Sequence, residues 1–291
     1  MTLPPLLKTM RPRQWAKNAV VFAALVFDVK LFDFFYLSRT LIAFGLLCLI
    51  AGTVYIINDL ADIEKDRLHP RKKHRPLAAG TLSKRTAVIA AALFLASALG
   101  GAFGLNLKFG GLVLLYFILN VLYTFWLKNI VILDVLLVAA GFVIRVGAGV
   151  VLVDVERFSP WLYICMTLLA LFMVLGKRRR EITLLEAQAN EHRTVLANYN
   201  LEFIDQLIGA VSTSAIIAYS FYTFSAENLP QNHAMMLTIP FVLYGIFRYL
   251  YLIHVRHEGG APDELVFKDR PLMLTFVLWG LFAVGVLYLG Q

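Results

Sequence analysis

The chain has 291 residues, of which 59% are hydrophobic and only 16% are charged, and its formal net charge is +8. Its mean hydropathy is +0.72. This composition excludes an ordinary soluble domain, because too few polar side chains are available to cover its surface. The sequence therefore predicts an integral membrane protein.

Long apolar stretches recur from one end of the chain to the other. A hydrocarbon core of about 30 Å requires about 20 apolar residues for each helical span, and the sequence offers about nine such stretches. They lie near residues 16–36, 39–58, 84–105, 109–127, 130–152, 160–176, 206–225, 234–253 and 272–290. We therefore expect an all-α membrane protein with about nine transmembrane helices, forming one domain over residues 1–291.

The first of these stretches is interrupted by charge. Asp28, Lys30 and Asp33 occupy its second half, so it is either a full span or a shorter helix followed by an interfacial turn. A removable signal peptide is not expected, because the segment has no small-residue cleavage site. It opens with RPRQWAKN, in which Lys17 and Asn18 are candidate substrate ligands, although the same segment is typical of an interfacial anchor.

The cations are concentrated on one side of the predicted topology. They follow the even-numbered helices and crowd the N-terminus, whereas the opposite loops hold Lys30, Arg39, Lys108 and Arg157. The positive-inside rule then places the N-terminus and the charged loops in the cytoplasm, and the protein in the cell (inner or plasma) membrane. Topology and attraction to anionic membrane lipids alone could produce this charge, but neither accounts for carboxylates on the same side. Nucleic acid is not an expected partner, because the basic loops are short and tethered to the membrane.

An acidic and basic insert follows the second predicted helix. Asn58, Asp62 and Asp66 are spaced i, i+4, i+8, so they share one face if the helix continues, with Asp59 beside them. Such oxygen ligands suit Mg²⁺, which takes one or two carboxylates together with phosphate oxygens. The pattern predicts a Mg²⁺-bound diphosphate, and Arg75 in the basic run is a candidate phosphate ligand. The alternative is a solvated loop in which the carboxylates pair with the basic run.

Charged residues also accompany the fourth and fifth predicted helices. Tyr123, Lys128 and Asp134 lie in YTFWLKNIVILD, and Arg145 follows within an apolar stretch. An ionisable residue in the membrane is costly and faces a polar cavity or a partner. Asp134 and Arg145 share a helix face but lie roughly 16 Å apart, so they cannot neutralise each other. A ligand, or a structural ion pair with another helix, must satisfy Arg145, and the small residues around it predict close helix packing.

A mixed group of charges follows the sixth predicted helix. Lys177 precedes Glu181 by four residues and Arg178 precedes it by three. If the helix continues, all three side chains share one face. The polar segment up to about Asn200 predicts a cytoplasmic cap.

The connection before the last helix reads GGAPDELVFKDRP and contributes Asp263, Asp269 and Arg270 as further candidate ligands. We expect a structured loop there, between glycines and a proline. Cys48 and Cys165 lie in apolar spans and are expected to be small buried side chains without a disulfide.

The pattern NDxxDxxxD after the second helix, followed by HP, a basic run and RPLAAG, resembles the UbiA-type intramembrane prenyltransferase superfamily. Tyr123 and Lys128 match it as well. The resemblance covers nearly the whole chain. It implies nine helices around a central cavity, Mg²⁺-dependent chemistry on a diphosphate donor, and a lipid-chain tunnel that opens to the bilayer.

One departure from the superfamily pattern indicates a particular branch of it. Members with aromatic acceptors usually carry a second aspartate-rich motif after the sixth helix, where this chain has Gly176, Lys177 and Arg178 before Glu181. With RPRQWAKN, IRVGAG and the late PDE and DRP elements, it is similar to the decaprenyl-phosphate phosphoribosyltransferase branch. That branch implies transfer of 5-phosphoribosyl from 5-phosphoribosyl 1-diphosphate to a polyprenyl phosphate in cell-envelope arabinose-donor synthesis. Three anionic groups held together would explain the extra cations.

The resemblance suggests roles for the candidate residues. Mg²⁺ is expected on Asn58, Asp62 and Asp66, with Asp59 in support, and Lys128 beside the departing diphosphate. Lys177, Arg178 and Arg145 are expected on phosphates. Asp134, Glu181, Asp263 and Asp269 could orient these cations, contact ribose or complete a metal shell. The catalytic candidates are thus Asp62, Asp66, Lys128 and Arg145.

Two other functions stay open at this point. One is a UbiA-type prenyltransferase that uses prenyl diphosphate and an aromatic or isoprenoid acceptor. The other is a transporter or flippase for a phosphorylated lipid, against which the sparse charge of the outer loops argues.

Overall fold

The computed structural model describes residues 3–70, 72–155, 159–187, 196, 198–227, 229–258, 265–266 and 268–290. In chain order its α-helices are α1 (Pro5–Thr9), α2 (Ala23–Phe27), α3 (Phe34–Ala61), α4 (Ile63–Leu68), α5 (Lys84–Leu105), α6 (Leu107–Phe125), α7 (Leu133–Val153), α8 (Pro160–Ala187), α9 (Leu201–Ser225), α10 (Ile239–His254) and α11 (Arg270–Leu289). Shorter 3-10 helices include Pro12–Phe22, Lys72–His74, Leu127–Asn129 and Ala234–Thr238.

Eight helices within the described residues are long and apolar enough to cross a membrane. They are α3, α5, α6, α7, α8, α9, the segment Ala234–His254 and α11. Each corresponds to one of the stretches predicted from hydropathy, so the all-α membrane fold is confirmed.

The first predicted span has a different structure. The 3-10 helix Pro12–Phe22 leads into α2, which ends at Phe27, and a turn then reaches Asp33. Asp33 begins α3, because its side chain accepts hydrogen bonds from the backbone N–H groups of Phe35 and Tyr36. A full span over 16–36 is therefore wrong, and the shorter helix followed by a turn is confirmed. Charged residues that favour the interface prevent this segment from forming one continuous apolar helix.

Polar side chains set the starts of several long helices. Ser83, Asn106, Asn200 and Asp269 each accept a hydrogen bond from a backbone N–H in the first turn of the helix that follows. These are preferred N-cap residues, since their side chains satisfy donors that the helix leaves unpaired. Asn106 alone separates α5 from α6, so one residue ends one long helix and begins the next.

The first of two compact units comprises Met1–Leu25, Lys30–Ile130 and Ile144–Asp154. Its core contains Val21, Leu47, Phe109 and Leu152, all at most 1% exposed. The 3-10 helix packs directly against α7 at Gly149, where an added Cβ would lie 2.2 Å from the backbone oxygen of Val21. The close packing predicted for the small residues near Arg145 is thus found at Gly149.

Two cations in this unit cap helix C-termini. Lys30 Nζ donates to the backbone oxygens of Val153 at 2.9 Å and Asp154 at 3.4 Å. Arg39 Nη2 donates to the backbone oxygen of Leu105 at 3.4 Å. Both side chains therefore bind carbonyls at the negative end of a helix dipole.

The second compact unit comprises Val26–Val29, Val131–Val143 and Val155–Gln291. Its core is built from α8, α9, α10 and α11 and contains Phe172, Ile204, Tyr249 and Leu272. Gly176 in α8 admits the ring of Tyr249, since an added Cβ would lie 2.4 Å from the Tyr249 hydroxyl. The two cysteines are buried and form no disulfide, as predicted.

Candidate active site

The acidic insert places two carboxylates in a buried position. The side chains of Asp59 and Asp66 are only 2% and 3% exposed. They are separated by seven residues, or about two helical turns, so they lie on the same side although α3 ends between them. Burial of two carboxylates requires compensating positive charge, because an unpaired buried charge is strongly unfavourable.

Two arginines provide that charge. Arg75 Nη1 lies 3.1 Å from Asp59 Oδ1 and 2.6 Å from Asp66 Oδ2. Arg11 Nη2 lies 2.5 Å from the same oxygen of Asp59. One oxygen of each carboxylate thus converges on a single nitrogen atom of Arg75. We call Asp59 and Asp66 the acidic pair.

The remaining predicted metal ligands are arranged differently. Asp62 ends α3 with φ −103° and ψ 11°, and its Oδ1 lies 3.5 Å from Lys128 Nζ. The half-buried Asn58 accepts the backbone N–H of Asp62 through its own backbone oxygen at 3.1 Å. The backbone N–H of Asp66 in turn donates to the backbone oxygen of Asp62 at 2.8 Å, so the i, i+4 hydrogen bonds continue through the turn at Asp62. Asp59, expected only in support, shares Arg75 with Asp66.

Arg11, which is not among the predicted ligands, also lies at this site. Its backbone is left-handed, with φ 53°, and its guanidinium lies 4.6 Å from the centre of the Tyr55 ring. The preceding Met10 is buried over Gly52, where an added Cβ would lie 2.7 Å from the Met10 side chain. Arg11 belongs to the RPRQWAKN segment, which was the available signal.

A second polar group in the first unit surrounds Arg145. Its Nε donates to Asn18 Oδ1 and its Nη2 donates to the Tyr116 hydroxyl, each at 2.7 Å. Asn18 Nδ2 in turn approaches Cys48 Sγ at 3.3 Å. Asn18 is 1% exposed, so it belongs to the interior of the unit, whereas the neighbouring Lys17 is half-buried.

In the second unit, Asp134 and Arg178 form a buried ion pair. Asp134 is fully buried, and its Oδ2 lies 2.9 Å from Arg178 Nε. Arg178 also pairs with Glu181, as the i, i+3 spacing on a continued helix predicted. The predicted phosphate ligand Arg178 is thus held by two carboxylates from α7 and α8.

Tyr199, which is not among the predicted ligands, completes this ion pair. Its hydroxyl donates to Asp134 Oδ1 at 2.7 Å and accepts the backbone N–H of Ile132 at 2.7 Å. Burial, together with the hydrogen bond to Asp134, raises the pKa of Tyr199 to about 12. The hydroxyl therefore keeps its proton and acts as a donor at neutral pH.

The other candidates lie apart from these groups. Asp269 binds Arg248 through two hydrogen bonds, at 3.1 and 2.8 Å, and caps α11. Lys177 and Arg270 are exposed, and Tyr123 is half-buried. Outside the described residues lie Asp263 with most of the structured loop predicted before α11 (259–264 and 267), and the part of the predicted cap at 188–195 and 197.

The acidic pair is suited to a cation that arrives with a phosphorylated ligand. Within the described ranges, no group of three or more His, Cys, Asp or Glu side chains is arranged to hold a metal ion. Two carboxylate oxygens do converge on one positively charged position, and Mg²⁺ commonly takes one or two carboxylates and completes its shell with phosphate oxygens and water. The residues present therefore fit such an ion.

Long apolar helices, with a buried acidic pair beside several cations, define an integral membrane protein that carries a buried charged cluster. The chain belongs to the UbiA prenyltransferase family, whose model matches residues 19–259.

Its relatives include enzymes named decaprenyl-phosphate phosphoribosyltransferase. The one from Mycolicibacterium smegmatis is 31% identical over 94% of this chain and 89% of its own length. The one from Corynebacterium glutamicum is 32% identical over 98% of this chain and 87% of its own length. Among solved structures, a UbiA homolog from Archaeoglobus fulgidus bound to GPP and Mg²⁺ matches with a TM-score of 0.72 and 20% identity, covering 97% of this chain and 99% of that one.

Proposed function

We propose that the protein transfers the 5-phosphoribosyl group of 5-phosphoribosyl 1-diphosphate to a polyprenyl phosphate, decaprenyl phosphate in particular, and releases diphosphate. The observation that carries this proposal is 30–32% identity with enzymes of that name over at least 94% of the chain. The product would serve the synthesis of a cell-envelope arabinose donor such as that used for arabinogalactan.

The acidic pair is the proposed metal site. Asp59 and Asp66 would hold Mg²⁺, with Asn58 and Asp62 close by in sequence. When bound, Mg²⁺ would offset the charge of the diphosphate and stabilise its departure. The UbiA homolog solved with GPP and Mg²⁺ supports the choice of ion at the level of the fold.

The neighbouring cations would act on the diphosphate directly. Lys128 lies 3.5 Å from Asp62, and from this position its ammonium would donate to the leaving group as negative charge accumulates. An oxygen of the lipid phosphate forms the new bond to ribose C1, while the bond from C1 to the diphosphate oxygen breaks and its electron pair leaves with the diphosphate. The attacking phosphate is already ionised, so no strong general base is required.

The buried cations would position other phosphates. Arg145 is oriented by Asn18 and Tyr116, and we assign it to a phosphate in the interior of its unit. In the second unit, Arg178 is bound by Asp134 and Glu181, so we assign it a structural role. The neighbouring Lys177 is exposed and is the candidate ligand of the 5-phosphate or the lipid phosphate.

The charge distribution supports a cytoplasmic site. The acidic pair and its arginines belong to the segments that the positive-inside rule places in the cytoplasm. A soluble sugar diphosphate would reach the site from that side, and a polyprenyl phosphate would come from the plasma membrane.

A product assay tests the proposal. Purified protein receives Mg²⁺, 5-phosphoribosyl 1-diphosphate labelled in the ribose, and decaprenyl phosphate. We expect label in the lipid fraction and an equal amount of diphosphate. Absence of labelled lipid from protein that consumes prenyl diphosphate would contradict the proposal.

Prenyl transfer to an aromatic or isoprenoid acceptor is the second candidate. It is favoured by the similarity in fold to the GPP-bound UbiA homolog, at a TM-score of 0.72. The same preparation, given geranyl diphosphate and an aromatic acceptor, distinguishes the two functions by the donor that disappears.

A further inference from the structure

We infer that Arg75 is an exchangeable counter-ion of the acidic pair. Its guanidinium neutralises Asp59 and Asp66 in the absence of metal, and it transfers to the diphosphate when a divalent cation occupies the pair. The inference rests on the proposed function only in taking a diphosphate as the group that receives Arg75.

Arg75 and a bridging metal ion compete for the same two oxygens. Arg75 Nη1 contacts Asp59 Oδ1 and Asp66 Oδ2 at 3.1 and 2.6 Å. A metal ion bound by these two oxygens, at the shorter distances of metal coordination, would take the position of that nitrogen. Metal binding in this bridging position therefore displaces Arg75.

The contacts identify Arg75, and not Arg11, as the group that moves. The two side chains are about equally exposed, at 26% for Arg75 and 29% for Arg11, so exposure does not distinguish them. Arg75 Nη1 lies between the two carboxylates, whereas Arg11 contacts Asp59 and the Tyr55 ring. An ion between the carboxylates would therefore displace Arg75, and Arg11 would stay on Asp59.

The released guanidinium has a suitable acceptor beside it. A planar guanidinium binds phosphate oxygens through two parallel hydrogen bonds, and a diphosphate that accompanies the metal brings such oxygens to the pair. Without diphosphate, Arg75 should therefore lower the affinity for the metal; with diphosphate bound, it should raise that affinity. Metal and diphosphate should then increase each other's affinity by the same factor.

Mn²⁺ binding to the purified full-length chain, followed by electron paramagnetic resonance, tests the exchange without any catalysis. We expect Arg75→Gln to bind Mn²⁺ alone about tenfold more tightly than the wild type. With inorganic diphosphate added, the variant should bind Mn²⁺ about tenfold more weakly than the wild type. Arg67→Gln is the matched control, because it removes the same charge from an exposed arginine of α4 that pairs with Glu64.

Mn²⁺ affinity that is unchanged or lower in Arg75→Gln overturns the inference, as does an equal gain in Arg67→Gln. If Arg75→Gln does not fold, hydrogen exchange of the wild type provides the test, since Mn²⁺ alone should accelerate exchange in peptides covering residues 75–82. Unchanged exchange there would count against Arg75 release. Failure of the phosphoribosyl transfer assay would leave both measurements valid, because neither uses the sugar substrate.

Discussion

The hydroxyl of Tyr199 donates a hydrogen bond of 2.7 Å to the buried carboxylate of Asp134, which lies 65 residues earlier in the chain. Asp134 contacts Arg178 through its other oxygen. Tyr199 thus binds one oxygen of the Asp134 carboxylate, and Arg178 contacts the other. In a buried ion pair such additional hydrogen bonds decide whether the pair stabilises the fold.

Replacement of Tyr199 by phenylalanine should destabilise the second unit. Asp134 would lose a donor at a fully buried oxygen, which costs about 1–3 kcal/mol. The midpoint of thermal unfolding in detergent measures the effect. Because the raised pKa of Tyr199, about 12, keeps the hydroxyl protonated, the difference should persist up to about pH 10, the ordinary pKa of tyrosine. Tyr163→Phe, at a residue that is 50% exposed, is the control, and equal midpoints for the two variants would contradict the role of Tyr199.

The acidic pair should be essential for activity. Asp59→Asn and Asp66→Asn should each lower turnover about 10²–10³-fold, because one of the two convergent carboxylates is lost. The initial rate is measured as a function of Mg²⁺ concentration. Each variant should need more Mg²⁺ than the wild type to reach half of its own maximal rate. Glu64→Gln is the control on α4, where the carboxylate is 73% exposed. Full activity of Asp66→Asn at the wild-type Mg²⁺ requirement would refute the assignment.

Two glycines of α7 offer a matched test of helix packing. Gly149→Ala should lower the free energy of unfolding by about 1–3 kcal/mol, because the new Cβ would lie 2.2 Å from the backbone oxygen of Val21. Gly147→Ala should be neutral or slightly stabilising, since its nearest neighbour is 4.0 Å away and alanine favours a helix. The two variants are compared by thermal unfolding and by activity. Equal effects would show that the 3-10 helix is not packed closely at Gly149.

The contact between Arg248 and Asp269 predicts a dependence of stability on pH. Hydrogen bonds from Arg248 lower the pKa of Asp269, so the carboxylate stabilises the folded state above its unfolded pKa of about 3.9. That contribution is lost as the pH falls through the lowered value. Unfolding midpoints from pH 7 to pH 3 should show a gap between the wild type and Asp269→Asn that narrows toward acid.

Asparagine remains a good N-cap, so Asp269→Asn isolates the charge. The difference in unfolding midpoint between the wild type and Arg248→Gln should also become smaller toward acid pH. A gap that stays constant down to pH 3 would exclude Asp269 as its source.

Hydropathy was sufficient to predict the long helices, because a span needs only an uninterrupted apolar stretch of the required length. It failed over residues 16–36, where apolar residues are frequent but the charges at Asp28, Lys30 and Asp33 favour a turn. The pairing of Arg178 with Glu181 was predictable for a different reason. It is local, and a continued helix fixes the relative positions of residues three apart.

The other contacts of the site join distant parts of the chain. Arg11 reaches Asp59 across 48 residues and Tyr199 reaches Asp134 across 65, and no periodic pattern encodes such pairs. The alignment of Asp59 with Asp66 was less hidden, because a helix brings residues seven apart to one face. That spacing does not reveal Arg11 and Arg75 as the partners of the two carboxylates.

The helix-capping roles of Lys30 and Arg39 bear on how the protein would keep its orientation in the bilayer. A count of residues assigns these two positive charges to the sparsely charged side. In the folded unit, however, both are directed at the partial negative charges of helix ends. The two cations thus have a structural role at helix ends, which accounts for their presence in loops where the predicted topology places few positive charges.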